Sequence, residues 1–577
     1  MAVFCHSEQR EESVARRRIP HFVRNDKTAL AVVFVMLLAG CGGTVAPAST
    51  GGGGASGSPQ AGGELKMAFP AEEAGDTPTL DPPMKISTYG NIITEALYDT
   101  LVYQDPTDNT IKPGLATSWT VSDDGKTYTF KLREDAKFHD GTPVNAEAVR
   151  FSLDRAVDKQ YNPNNAYATS LMEAYDHSEV VDEHTVKVIT KERRVNFLPS
   201  AMGRSYLGIV SPTAVKKYGD KGFGEHPVGS GPYRFVEWAH GDHITIERNP
   251  DYKWSSPIFK VQGPPLVDRI TFYWIPEAAT RLAALQSGQV NAIITVPEAN
   301  LAALQADSRF EVMKALKNGS PSLLNLNNQR FPTDQREVRV AISEAIDRDA
   351  LNKTVMFGQD KPYYGWVEER MLDRKPDAGA PKYDLEAAKK TLDDAGWQVG
   401  PDGIRVKDGK RLQLQAIGYA TNPPVLEFVQ SELKKVGMDV SVEKLSSAAV
   451  TARAENAEGN FNILFRTFVG FTNEDPHVFF TLYNSANMPP QKTNDRDRFK
   501  NDEVDKLTIQ GYQETDPEKR KQDYWRVQDI LSQEVPDIPL AEIYQTVGIK
   551  KGVHDIMPDA RGSYYYLNDV WIEPSAR

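Results

Sequence analysis

Cysteine is the scarcest residue of this chain: there are two in 577, Cys5 and Cys41. Two thiols cannot build a disulfide framework or a thiolate zinc site, so apolar burial has to supply the stability. A basic excess is missing too. Lys and Arg number 67 against 79 Asp and Glu, a net charge of −12. That balance argues against a nucleic-acid partner, because phosphate binding needs clustered cations. Long apolar runs are lacking; the longest covers residues 29–39. At ~1.5 Å per residue it reaches about 16 Å, roughly half a bilayer core, which is too short to span and right for a signal peptide. Motifs of catalysis are absent as well: neither Gly-x-Ser-x-Gly nor His-Glu-x-x-His occurs. His240-Gly241-Asp242-His243 has ligand-like spacing, but it falls between two alternating segments, Tyr233–Trp238 and Ile244–Arg248, and reads as a hairpin turn. His139-Asp140 reads as a turn after a strand. Gly125-Lys126-Thr127 is no phosphate loop, since Thr120 stands where the earlier glycine is needed. No enzyme activity, metal or other cofactor is expected.

What is present is length enough for two or three packed domains. Arg16, Arg17, Arg18, Arg24 and Lys27 precede the apolar run, and Leu38-Ala39-Gly40-Cys41 ends it. That tetrapeptide resembles the lipobox of bacterial lipoproteins. The resemblance implies a signal peptide over 1–40, diacylglycerol on the Cys41 thiol and acylation of the new amino end, a multi-chain anchor that holds. The basic stretch is long for a signal peptide, and the true start is expected nearer Val23. Residues 41–63 are rich in Gly, Ser and Ala and read as a flexible linker behind the lipidated cysteine.

From Glu64 the pattern becomes globular. Tyr128, Phe130 and Leu132 alternate with polar residues, predicting a half-buried strand. Asp140-Gly141 marks a turn, and Asn145 caps a helix with Val149, Leu153 and Ala156 on one face. Asp408-Gly409 centres a hairpin, followed by a helix from Val425 to Val436, a stop at Gly437 and a strand through Met438, Val440 and Val442. Helices are also expected at Leu385–Ala395, Val338–Asp347 and Tyr524–Leu531. The irregular alternation predicts an α/β fold with mixed sheets.

Five segments carry a resemblance to the extracellular solute-binding proteins of family 5, the peptide-, nickel- and oligosaccharide-binding components of ABC importers. They are TLDP (79–82) with EALYDTLV (95–102), the stretch 114–155, HPVGSGPYRFVEW (226–238), RLAALQSGQVNAI (281–293) and REVRVAISEAIDRDAL (336–351). The resemblance implies a two-lobed periplasmic-binding-protein-like fold of the large class with a hinged cleft. Lobe I would hold 64–316 plus 535–577, with an extra subdomain at 96–221, and lobe II would hold 317–534. It further implies a monomer at the extracytoplasmic face of the cell membrane, held by its lipid anchor, that passes a small solute or peptide to ABC permease subunits.

In peptide-binding members an aspartate three residues before an Asp-Pro grips the ligand's amino group. Here Asp475-Pro476 is present but Thr472 stands at that position, and Val469 replaces a usual tryptophan. Glu474 could substitute, while Asp475 reads as a helix cap. Thr472 and Asn473 between Phe468 and Phe471 suit a neutral polar ligand such as a sugar. Tyr363, Tyr364 and Trp366 offer either aromatic faces to the cleft or packing for the core. Asn325, in a strand crossing into lobe II, and Tyr89 and Arg204 in lobe I are further candidates. Arg204 or Arg466 could meet a ligand carboxylate, which favours a peptide. The expected ligand is an oligopeptide, with an oligosaccharide as the alternative. A ligand-presenting sensory ectodomain and an extracellular hydrolase remain the other classes.

Overall fold

Two β-sheets organise the chain, which crosses between them twice. The coordinates are a computed structural model that describes residues 58–577 apart from 71–78, 85–88, 159–170, 318, 421, 468–474, 491 and 493–494. Cys41 and the segment before it lie outside the described residues.

The first sheet is ordered Phe310–Leu316, Tyr544–Lys550, Ala292–Ile294, Glu64–Phe69, Arg269–Trp274, His243–Arg248, Tyr233–Ala239. Glu64–Phe69 runs parallel to both of its neighbours. Its Leu65, Met67 and Phe69 enter one core and Ala68 another, so both faces are covered, as a parallel strand requires. The hairpin at Gly241 forms as predicted: Gly241 has φ +78°, and His243 sits beside Asp242 with Nδ1 2.8 Å from Oδ2.

A four-stranded antiparallel sheet stands apart with its own core, ordered Ala116–Val121, Thr127–Leu132, Thr185–Thr190, Tyr175–Asp182. Tyr128, Phe130 and Leu132 point inward, as their alternation predicts. The Asn145 side chain accepts from Ala148 N at 3.0 Å and starts the helix Ala146–Val157. Arg155 near the end of that helix reaches Asp81 through two bonds of 2.8 and 2.7 Å, both groups buried, and so fastens this sheet to the opening segment of the first lobe.

The second sheet is ordered Lys361–Pro362, Asp537–Glu542, Ser322–Leu326, Ile463–Thr467, Gln413–Tyr419, Asp439–Leu445. One face buries Leu324, Leu326, Leu414, Ala416 and Phe465 against helices Arg336–Ala345 and Val425–Lys434. Gly437 stops the second helix at φ +83°. Asp408 and Gly409, both at positive φ, turn the predicted hairpin. The helix expected at Tyr524–Leu531 is longer, Pro517–Glu534, because Asp516 caps it from outside the apolar pattern.

The chain passes outward between Leu316 and Ser322 and returns between Glu542 and Tyr544. The return therefore differs from the boundary at 535 that the resemblance implied. Asp537–Glu542 is buried along its whole length and pairs with Ser322–Leu326, so it belongs to the second sheet. Lys317 N donates to Ile543 O at 2.9 Å and joins the two crossings. A turn at Gly562 (φ +65°) presses on the outward crossing; a Cβ there would stand 1.8 Å from Leu316 O, so only glycine fits.

Candidate functional site

The lobe I side of the site grows from the helix Gly90–Leu97, every residue of which is buried. Asn91 donates through Nδ2 to the Tyr206 hydroxyl at 2.7 Å and the Tyr564 hydroxyl at 3.1 Å. One turn on, Glu95 Oε1 accepts from Arg561 Nη2 at 3.0 Å, and Arg561 Nε also donates to Asp559. These residues flank Gly562, so the group sits against the outward crossing. Arg204 completes it. Its extended backbone precedes the short turn Ser205–Leu207. Only 2% of the residue is exposed. Its Nε and Nη2 have no hydrogen-bond partner among the described residues. Burial, and after it the neighbouring Arg561 cation, push the guanidinium down to about 9. A cation stripped of water with donors left over is costly by itself and suits a ligand anion. Tyr89 lies beside the same helix, half-buried, its ring stacked on Phe69 at 5.5 Å.

The lobe II side is built on the two innermost strands of the second sheet. Asn325 is buried and bridges: Nδ2 donates to Asp537 Oδ1 at 3.0 Å, and Oδ1 accepts from Arg466 Nη1 at 3.5 Å. Arg466 is buried, and desolvation, with Arg496 next, pushes it down to about 10. Asp495, Asp497 and Asp537 crowd together here, all buried. Desolvation is the main cause of their raised pKa values, with the carboxylates' mutual repulsion adding to it. Asp495 is pushed up to about 7.

The sign of the resulting pH dependence is fixed. An unfolded aspartate releases its proton near pH 4, whereas Asp495 keeps its proton toward pH 7 and Asp497 and Asp537 are raised in the same direction, so the folded form binds more protons in that window. Stability from the cluster falls as pH rises from about 4 to 7. Asp537→Asn is expected to shrink the loss in urea midpoint between pH 5 and pH 7.5; an unchanged loss would contradict this reading.

The aromatic segment at 363–369 is incorporated into lobe II. Trp366, 1% exposed, packs with Val367, Met371, Phe479 and Leu531, and its indole N–H donates to Ser532 Oγ at 2.9 Å. The expectation that it offers a face to the cleft is therefore corrected: a ring that fills a core and has its one donor satisfied cannot also stack on a ligand. Tyr363 donates to Val367 O and accepts from Arg374 Nε, both at 2.8 Å. Tyr364 is half-buried, with the Arg348 guanidinium 4.1 Å above its ring. Asp475 holds Arg520 through two 2.8 Å bonds and accepts from His477 N, so it ties the segment leading into helix Val478–Tyr483 to helix Pro517–Glu534; the cap position of Val478–Tyr483 is His477, not Asp475 as expected. Phe468, Phe471, Thr472, Asn473 and Glu474 lie outside the described residues. Glu95, Asp559, Arg561 and the three aspartates were not singled out from sequence. Nothing local marks a carboxylate for burial; only tertiary packing does.

Residues 110–490 match the family described as bacterial extracellular solute-binding proteins, family 5 Middle. Over 469 residues the chain is 31% identical to the glutathione-binding protein GsiB of Escherichia coli O1:K1, with 80% of this chain and 86% of that one covered. The chain belongs to family 5 of the solute-binding proteins. Two solved structures are similar in fold. DppA from Helicobacter pylori in complex with the peptide STSA matches with a TM-score of 0.71 at 26% identity, over 89% of this receptor and 99% of that chain. NikA from Brucella suis in complex with Fe(III)-EDTA matches with 0.77 at 25%, over 89% and 100%. The receptor is thus a two-lobed extracytoplasmic binding component of an ABC importer and not an enzyme. Among the described residues no helix is long and apolar enough to cross a membrane.

Proposed function

We propose that the receptor captures a short peptide or peptide-like solute that carries at least one carboxylate, and hands it to a permease in the membrane to which Cys41 tethers it. Arg204 carries this reading: a guanidinium almost wholly out of water, with two donor nitrogens unpartnered among the described residues, beside the crossing about which the lobes would close. A carboxylate presents two acceptors to such a fork and restores what burial removed. Arg466 supplies a second buried cation from the other lobe. A ligand held from both lobes favours the closed form by the free energy it adds across them. The glutathione relative fits this chemistry, since glutathione carries two carboxylates, and the absence of an aspartate at Thr472 leaves the ligand's amino end less strictly required. Native mass spectrometry of residues 64–577 purified without denaturant tests the proposal. A co-purifying mass whose fragments are acidic peptide is expected; a ladder of hexose units would reverse it in favour of the sugar reading.

A further inference from the structure

The lobes touch through residues that belong to neither crossing. Arg194 leaves the four-stranded sheet's core with its backbone held there: its carbonyl accepts from the Tyr128 hydroxyl at 3.0 Å. Its guanidinium lies 5.1 Å from the centroid of the Tyr512 ring, which belongs to the lobe II helix Asp502–Gln513. Tyr512 stacks on His477 at 4.7 Å and 28°, and His477 on Phe480 at 5.2 Å and 17°. Arg194, His477 and Tyr512 are 5, 7 and 8% exposed, so the contact is dry and its cation faces aromatic rings in place of water. At its rim Lys492 lies 3.7 Å from Glu173, an exposed pair that adds little energy but matches charge across the seam.

We propose that Arg194 and the Tyr512–His477–Phe480 stack form an interlobe clasp that biases the receptor toward its closed form and loosens in acid. The ordinary ligand cycle needs no such contact. With it, the lobes hold together through protein side chains alone, so a ligand meets a receptor that is partly closed already and less of its binding energy goes into closure. The acid response follows from the groups that face His477. Arg194 approaches from the small sheet, Lys492 from the loop beyond helix Val478–Tyr483, and Arg520 from helix Pro517–Glu534. Asp475, the adjoining carboxylate, is already held by Arg520, while Glu173 and Glu192 act toward Tyr512. Burial first, and these three cations after it, drive His477 well below its ordinary range, so it is neutral in the closed form. Opening removes Arg194 and admits water, which lets the ring take a proton. The open form therefore gains as pH falls.

Small-angle scattering of the full tether-free body, residues 64–577, at pH 7.5 and pH 5 reads this out. Arg194→Ala is expected to shift the closed-to-open ratio about thirtyfold toward open at pH 7.5, the size of a desolvated cation–aromatic contact, and to raise the radius of gyration. The wild type is expected to expand at pH 5, and His477→Phe to stay compact at both values. Tyr512→Leu repeats the first result from the other lobe, and circular dichroism confirms that each variant is folded. Arg194→Ala superimposing on the wild type at both pH values would overturn the clasp. If glutathione nonetheless compacts both proteins, the hinged-cleft reading survives that failure; if nothing changes the profile, both fall.

Discussion

Replacing Arg204 by alanine is expected to lower the affinity for the carboxylate-bearing ligand proposed above by ~30-fold or more, yet to leave the receptor without ligand as thermally stable as before or more so. The two effects have one cause. In the folded protein the guanidinium is almost wholly buried, with Nε and Nη2 making no hydrogen bond among the described residues, so the folded state carries its desolvation cost. With ligand present the same donors meet a carboxylate, and removing one side of such a buried charged pair costs about 2–5 kcal/mol, where ~1.4 kcal/mol is tenfold. Arg204→Lys keeps the charge but loses the planar fork, so an intermediate affinity is expected. Calorimetric titration paired with a thermal melt checks both. A variant with a lowered melting point and unaltered affinity would make Arg204 a structural cation only.

Trp366→Ala is expected to do the opposite: to destabilise lobe II by about 3–5 kcal/mol, the usual cost of emptying a core of a large aromatic, and to leave ligand affinity nearly untouched in the folded fraction. The indole fills space between the segment 363–371 and helices Val478–Tyr483 and Pro517–Glu534, and Ser532 takes its N–H. Urea unfolding at fixed pH measures the loss. Undiminished stability with weakened binding would return Trp366 to the cleft.

These two residues show how far the amino-acid sequence could be read. Elements with strong local signals were legible: the strand through Tyr128, Phe130 and Leu132, the helix behind Asn145, the hairpin at Asp408-Gly409 and the helix stopped by Gly437 all rest on alternation, capping or positive φ, which are properties of neighbours in sequence. The crossings were harder. Only Ile543 separates Asp537–Glu542 from Tyr544–Lys550, and which sheet each strand joins depends on partners some 220 residues away. At the site, the sequence offered Asn325 on a strand crossing into lobe II, and Arg204 or Arg466 as cations able to meet a ligand carboxylate. It could not separate Trp366 from a ligand platform, because an aromatic in a loop looks the same whether helices cover it or not. The buried acids were missed altogether: Asp495 and Asp497 sit in a run of charged residues that reads as solvated surface, and only the fold turns them inward beside Asp537.

On the function proposed above, a ligand carboxylate completes a buried arginine between two lobes that close upon it. Parallel titrations with reduced glutathione and with its dimethyl ester, which differ only in carrying or masking the two carboxylate charges, test it most directly. Saturable binding of the free acid with weakening of ~30-fold or more for the ester is the predicted result. Equal affinity for the two, or binding of a neutral oligosaccharide where neither binds, would contradict it.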